Sequence, residues 1–138
     1  MFRSLTAVAL CGLLCGLLCG CIAKEEGPRT VSVAGTVTFD GKPVAEGDII
    51  FRSTNPGEHA YAGKIVEGQF SFDATPGQKN VEITATRVVE GKFVEDNPGE
   101  KTPVREAYIP AKYNTNSELR AEIPDSGTTD LKFELTGQ

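Results

Sequence analysis

The fold class of this chain follows from one alternating stretch, Val31-Ser32-Val33-Ala34-Gly35-Thr36-Val37-Thr38-Phe39. Every second residue from Val31 to Phe39 is apolar or glycine, and the residues between them are small or hydroxylated. Successive side chains of a β-strand point to opposite faces, so this period of two with β-branched residues predicts a strand with one buried face. The dipeptide Asp40-Gly41 that follows predicts a turn.

Six further stretches resemble strands, and turn residues separate them. They contain Ile49 and Phe51, then residues 60–66, 69–73, 80–88, 119–123 and 131–135. Glu67-Gly68 predicts a two-residue hairpin connection, and Phe70 and Phe72 share one face and are predicted core residues. No stretch shows a convincing helical period. Seven short strands with a turn every ~8–12 residues predict an all-β, Greek-key β-sandwich.

Residues 89–107 differ from the rest of this region. They are rich in charge, show little periodicity and contain Gly91, Asn97-Pro98-Gly99 and Pro103. We therefore predict a long charged loop, and loops of this length in compact domains are usually functional or mobile. A short aromatic element with Tyr108 and Tyr113 follows it directly.

The N-terminus has the composition of a secretory signal. One charge, Arg3, precedes an apolar run from Leu5 to Leu18 that glycine and cysteine interrupt. A membrane-spanning helix needs about 18 or more apolar residues, and this run is short and contains glycine. The pattern predicts a cleaved signal peptide over residues 1–20.

The stretch Leu18-Cys19-Gly20-Cys21 resembles the motif at which bacterial lipoproteins are processed. Gly20 is small enough to give a peptidase access to the bond before Cys21, and the Cys21 thiol would receive a diacylglycerol. The other three cysteines, at positions 11, 15 and 19, each follow leucine and fit the motif less well. A metal cluster is disfavoured because these cysteines lie in the apolar part of a signal. An uncleaved anchor with spare thiols is the alternative.

This assignment divides the chain into three parts: the signal peptide at 1–20, the lipidated cysteine and a short tether at 21–30, and the domain at 31–138. Residues 22–30 span at most ~30 Å, so the domain would lie close to a membrane of the cell envelope, inner or outer. No cysteine follows Cys21, so the domain depends on core packing without disulfides.

The charge of the chain bears on its partners. The formal net charge is −5, and removal of Arg3 with the signal changes it to −6. An acidic domain is a poor partner for nucleic acid or for anionic lipid headgroups, which attract Lys and Arg. We expect the membrane to be engaged through the N-terminal lipid, and an envelope protein or a glycan is the partner class left open.

Two stretches, Gly35–Val44 and Gly47–Phe51, resemble the opening hairpin of carboxypeptidase regulatory-like domains. Thr75-Pro76-Gly77 and Val81–Ala85 are similar to a later turn and strand of that family, and Ile109–Asn114 resembles a segment of small bacterial lipoproteins that carry such a domain. The resemblance covers most of residues 31–136 and implies a transthyretin-like (prealbumin-like) sandwich. Family domains often have a longer turn where this chain has only Glu67-Gly68. Because the domain is an accessory in the enzymes that name the family, no peptidase activity is implied.

The residues outside the signal do not favour catalysis. His59 is the one histidine, and no nucleophile motif accompanies it, so it is interpreted as an exposed loop residue. A zinc site needs three or four ligands of the His, Cys or carboxylate type. Turn carboxylates form no dense calcium loop, although a metal ion there stays open; they are Asp40, Asp48, Asp73, Glu95, Asp96, Asp125 and Asp130. We therefore predict no enzyme, no cofactor, no catalytic residue and no metal ligand.

The remaining candidate is a ligand surface formed by Tyr108, Lys112 and Tyr113. Carbohydrate platforms use flat aromatic rings, and this chain has three tyrosines and no tryptophan. Tyrosines that pin a loop or close the edge of a core are the more ordinary interpretation. The main functional prediction is a non-catalytic cell-envelope lipoprotein that displays a structural or binding module. The alternative is a carbohydrate- or peptide-binding accessory module that uses the Tyr108/Tyr113 region.

Overall fold

The computed structural model describes residues 27–138. The predictions for the signal peptide at 1–20, for Gly20 and for Cys21 lie outside the described residues. Gly27–Thr30 are exposed and belong to no strand. The all-β prediction is confirmed for the described part, whose regular structure consists of nine strands and one 3₁₀ turn.

Nine strands follow one another along residues 31–135. They are β1 (Val31–Phe39), β2 (Lys42–Pro43), β3 (Glu46–Ser53), β4 (Tyr61–Val66), β5 (Gln69–Ala74), β6 (Gly77–Asn97), β7 (Glu100–Ala107), β8 (Arg120–Ile123) and β9 (Thr128–Leu135), with the 3₁₀ turn at Ala111–Tyr113 before β8. β1 has the bounds that the alternation predicts. The count within residues 27–138 is nine where seven are predicted, because β2 and β7 are added.

The strands pair in the order β2-β1-β5-β4-β3-β6-β7, with β8 added beside β6 and β9 beside β1. All pairs are antiparallel except β1 with β9, where Val37 lies opposite Phe133 in a parallel ladder. β4 and β5 share only two pairs, Ile65 with Phe70 and Val66 with Gln69, next to the Glu67-Gly68 turn. The sheet is curled, because rings of β3 contact rings of β5 and β9.

The core lies inside the curl. Phe51 of β3 is fully buried, and its ring lies 5.0 Å from that of Phe72, 6.1 Å from Phe70 and 6.3 Å from Phe133, measured between centroids. These edge-to-face contacts join β3 to β5 and β9, which are not its neighbours in the sheet. The other buried apolar residues are Val33, Val37, Val44, Ile49, Ile65, Phe70, Ala74, Val81, Ile83, Ala85, Ile109, Ala121, Ile123, Phe133 and Leu135.

The prediction of a long charged loop at residues 89–107 is wrong. β6 continues to Asn97, the chain turns at Pro98-Gly99, and β7 returns as far as Ala107. We call this two-stranded hairpin, residues 86–107, the arm. Its residues are exposed apart from Val89 and Val104, which are half-buried. Because both faces meet solvent, the segment lacks the alternation that reveals strands in the rest of the chain.

The register places the arm and the start of the domain at opposite ends. Val31 at the start of β1 pairs with Ala74 at the end of β5, and β6 begins shortly after Ala74. Ser53 at the end of β3 pairs with Lys79 near the start of β6. The beginnings of β1 and β6 therefore lie at one end of the domain, which we call the Val31 end. β6 runs away from this end, and its ladder with β3 finishes where Ala85 lies opposite Gly47. The arm begins at the next residue. The opposite end, from which the arm projects, is the arm end.

Candidate functional site

Tyr108 lies at the base of the arm and is partly buried against the core. Its backbone N–H donates a hydrogen bond to the carbonyl of Ala85 (3.3 Å). Its ring meets Phe39 edge-on at 5.3 Å between centroids, and the guanidinium of Arg87 lies 5.5 Å from its centroid. Burial raises the pKa of the Tyr108 hydroxyl, because the charged form is poorly solvated there. These contacts fix the ring as a junction between arm and core.

Tyr113 ends the 3₁₀ turn and is tied to the residue that follows β9. Its hydroxyl accepts a hydrogen bond from the backbone N–H of Thr136 (3.0 Å) and lies 3.3 Å from the Thr136 hydroxyl. The bonds to Thr136 lower the pKa of the Tyr113 hydroxyl. The Lys112 ammonium lies 5.0 Å from the ring centroid, within cation–π range.

The structure therefore places Tyr108, Lys112 and Tyr113 at the same end of the domain. The two tyrosine rings have different partners, Phe39 and Arg87 for the first and Lys112 and Thr136 for the second. Both rings pack against the core, and each already carries a cation near its face. A sugar that stacked on them would displace that cation. This geometry matches the loop-pinning interpretation, and the ligand surface stays a prediction.

A neighbouring side chain holds this segment in shape. The Asn114 amide donates hydrogen bonds to the carbonyls of Ile109 and Pro110, each at 3.2 Å. Its side-chain oxygen accepts from the N–H of Thr115 at 2.7 Å. The short aromatic element is therefore a rigid connection between β7 and β8.

Every residue of the arm except Val89 and Val104 is exposed. Charged links fasten its base: Arg87 to Glu106 at 2.8 Å, and Arg105 to Glu46 of β3 at 2.9 Å. Near the tip, the Glu95 carboxylate accepts a hydrogen bond from the N–H of Gly99 (2.7 Å). Among the described residues the large exposed apolar side chains are Val66, Val88, Phe93 and Val94, and three of these four lie on the arm.

A buried lysine at the Val31 end was missed by the sequence analysis. Lys79 is 1% exposed, and its ammonium donates to the Thr75 hydroxyl at 2.8 Å and lies 3.6 Å from the carboxylate of Glu58. Glu58 also accepts from the Ser53 hydroxyl and, at 3.0 Å, from the Asn55 amide. We call this group the Lys79 cluster. The sequence alternation could have revealed this burial, because Lys79 lies on the same face of β6 as the inward-facing Val81 and Ile83.

His59 and the turn carboxylates are the other residues that the sequence analysis considered for chemistry. His59 is exposed in the loop after β3. Among residues 27–138, no group of three or more His, Cys, Asp or Glu side chains is arranged to hold a metal ion. A depression of about 850 Å³ is open to solvent, and its lining includes Lys64, Glu67, Asp130 and Lys132.

No family model matches the chain, and no curated protein matches it either. The crystal structure of a DUF3823 family protein from Parabacteroides merdae ATCC 43184 is 15% identical over 80% of this chain and 47% of that one, with a TM-score of 0.42. A 9R-lipoxygenase from Cyanothece PCC8801 is 14% identical over 83% of this chain and 18% of its own, with a TM-score of 0.37.

This chain thus spans less than half of the first of these two proteins and under a fifth of the second. Neither similarity is close enough to support a conclusion about activity. Within residues 27–138, no helix has the length and apolar character needed to span a membrane.

Proposed function

We propose that this protein is a non-catalytic cell-envelope lipoprotein that displays a β-domain at the membrane surface. The observation that carries the proposal is the motif Leu18-Cys19-Gly20-Cys21, which stands at the end of an apolar run and shortly before the first strand. The acyl chains on Cys21 hold the protein, and residues 22–30 form the tether. The domain from Val31 onward is what the protein displays.

The geometry of the domain supports this arrangement. The tether enters at the Val31 end, and the arm leaves from the arm end. An anchor at Cys21 therefore keeps the Val31 end next to the bilayer and directs the arm away from it. Because a strand rises about 3.3 Å per residue, the eight residues of β7 extend about 26 Å. The arm is thus the part of the domain best placed to meet a partner in the envelope.

The proposal includes the transthyretin-like sandwich. We assign β9, β1 and β5 to one layer of this sandwich and β4, β3, β6 and β8 to the other. The contacts among the core rings of Phe51, Phe70 and Phe133 support this assignment. The connection from β8 to β9 crosses between the layers, as Greek-key sandwiches require. The narrow β4–β5 junction supports this reading, since it joins the layers by only two residue pairs.

The proposal assigns no chemistry to the domain. Its support is the exposed position of His59 and the use of Tyr108 and Tyr113 in packing. The partner is an envelope protein or a glycan, and the acidic charge of the chain disfavours nucleic acid. Display alone needs a folded domain held near the membrane, and an anchored β-domain would supply it.

The test replaces the acceptor sulfur. Cys21→Ser cannot be lipidated through a thioether, so we expect the variant in the soluble envelope fraction while the unmodified protein is recovered with membranes. Cys19→Ser is the matched control, because it removes a neighbouring thiol that fits the motif less well, and it should remain with membranes. Intact mass of the mature N-terminus would identify the acyl groups. If Cys21→Ser stays attached after carbonate washing, the anchor is elsewhere and the proposal fails.

A further inference from the structure

The arm leaves apolar side chains and a strand edge without a cover in the described part of the chain. Val88, Phe93 and Val94 are 47%, 57% and 46% exposed. The ladder between β6 and β3 ends at Ala85, so from Thr86 onward β6 has β7 on one side and no described strand on the other. A two-stranded hairpin is marginally stable alone, and a free strand edge is a template for pairing with another chain.

The order of residues on that edge points to what pairs with it. Residues 87–95 read Arg-Val-Val-Glu-Gly-Lys-Phe-Val-Glu. The segment complements itself when it is laid antiparallel to a second copy with Gly91 opposite Gly91. Arg87 then faces Glu95, Glu90 faces Lys92, Val88 faces Val94, and Val89 faces Phe93. Each position meets an opposite charge or an apolar partner.

Only one register has this property. Directly opposed side chains in an antiparallel pair lie on the same face, so opposite charges stabilise the pair and like charges destabilise it. If the second copy slips by one residue in one direction, Glu90 faces Gly91 and Lys92 faces Val89. If it slips in the other direction, Glu90 faces Phe93 and Val88 faces Glu95. The charge pattern therefore specifies a symmetric alignment centred on Gly91.

The middle of this segment is the part that β7 does not engage. The register between β6 and β7 jumps from Val88 opposite Arg105 to Phe93 opposite Pro103. Val89–Lys92 thus form a bulge that has no register partner in β7. Gly91 has a φ of +73°, and glycine can change between this conformation and an extended one at little cost. The centre of the self-complementary segment is also its most adaptable point.

We propose that two copies of this chain associate through the β6 edge of the arm, with residues 87–95 antiparallel and Gly91 at the two-fold axis. The partner's Val94 covers Val88, the partner's Val89 covers Phe93, and the partner's Val88 covers Val94. The two Glu90–Lys92 pairs set the register. One strand edge is a small interface, so the association is weak and concentration-dependent. The proposal does not depend on the lipid anchor.

The test uses the charge pair that has no ion-pair partner among the described residues, Glu90 and Lys92. The full chain in detergent is studied by analytical ultracentrifugation, and its monomer–dimer Kd is measured. Glu90→Lys places two lysine pairs across the axis, and Lys92→Glu places two glutamate pairs there. We expect each variant to dimerise roughly tenfold more weakly or worse.

Mixing the two variants separates loss of pairing from loss of folding. In a one-to-one mixture, the lysines at 90 and 92 of one chain face the glutamates at 92 and 90 of the other, so heterodimers should form with about the unmodified Kd. Lys132 and Glu134 supply the control, because they are also an acid and a base two residues apart on an exposed strand face. Lys132→Glu and Glu134→Lys should leave the Kd unchanged.

Two results would overturn the proposal. One is an unmodified chain that sediments as a monomer up to its solubility limit. The other is a mixture of Glu90→Lys and Lys92→Glu chains that associates no more tightly than either variant alone. Either outcome rejects pairing at this edge, whereas release of Cys21→Ser from membranes would be unaffected.

Discussion

At the scale of single residues, the Lys79 cluster shows how the domain accommodates a charge in its interior. The lysine stem lies among core residues, while its ammonium reaches the Thr75 hydroxyl and the Glu58 carboxylate at the edge. Long cationic side chains commonly bury their methylenes and keep the charged group near polar partners. The cluster joins the loop after β3 to the beginning of β6, so it closes the Val31 end.

Glu58 should make the stability of the domain depend on acidity. Hydrogen bonds from Ser53 and Asn55, and the charge of Lys79, lower the pKa of this carboxyl in the folded state. Its contribution is therefore complete above the unfolded pKa of about 4.3 and is lost as pH falls through the lower folded pKa. We expect Glu58→Gln to be less stable than the unmodified chain at pH 6, with the difference shrinking towards pH 3.

The measurement is the urea midpoint of unfolding at several pH values between 6 and 3. Glu118→Gln is the control, since Glu118 is exposed and outside the cluster. Its midpoint should follow that of the unmodified chain throughout. A Glu58→Gln variant whose deficit stays constant over the whole range would show that the carboxylate contributes nothing specific to its charge.

At the scale of elements, two tight turns set the β1–β2 and β4–β5 connections. Asp40-Gly41 and Glu67-Gly68 both have two consecutive residues with positive φ, between 49° and 79°. This is the backbone of type I′ turns, whose twist matches that of the flanking strands. Glycine at the second position adopts it without strain.

The two glycines differ in their surroundings, which makes them a matched pair. A Cβ at Gly41 would meet nothing within 4 Å, whereas a Cβ at Gly68 would lie 2.6 Å from the Cβ of Pro43. Gly41→Ala should cost about 1 kcal/mol through its backbone conformation alone. Gly68→Ala should cost at least about 1 kcal/mol more, because β2 must move aside. Chemical denaturation of both variants gives the comparison. Equal losses in the free energy of unfolding would show that Pro43 moves aside without an energetic cost.

At the scale of the whole molecule, stability comes from contacts between strands that are distant in the sheet. Phe51 of β3 meets rings of β5 and β9, and the parallel β1–β9 ladder closes the far side. The arm takes no part in this core, whose buried residues pass from Ala85 directly to Ile109. The domain therefore has a stable body and a separate projecting element.

Substitution of two phenylalanines, one in the core and one in the arm, tests whether the arm is separate from the stable body. Phe51→Ala removes a fully buried ring that joins three others, so we expect a loss of about 3–5 kcal/mol in the free energy of unfolding. Phe93→Ala acts on an exposed ring of the arm and should change the free energy by less than about 0.5 kcal/mol. The comparison is made by chemical denaturation at a concentration where the chain is monomeric. A large loss for Phe93→Ala would place the arm within the cooperative core.

The amino-acid sequence alone determined the β-class of the chain, the bounds of β1, the Glu67-Gly68 turn and the inward positions of Ile49, Phe51 and Phe70. Each of these follows from local chemistry: alternation produced by one buried face, or the φ that a turn requires. The resemblance of Leu18-Cys19-Gly20-Cys21 to a lipoprotein motif is also a local pattern, and lipidation stays a prediction.

Only the tertiary structure decided that residues 89–107 form an arm, that Lys79 is buried, and that Tyr108 and Tyr113 serve as packing residues. The arm has solvent on both faces, so burial imposes no period on its sequence. The burial of Lys79 depends on a loop more than 20 positions away, because that loop brings the carboxylate of Glu58 to its ammonium. The parallel pairing of β1 with β9 likewise joins segments about 100 residues apart, and no local pattern encodes which distant strand will lie beside a given edge.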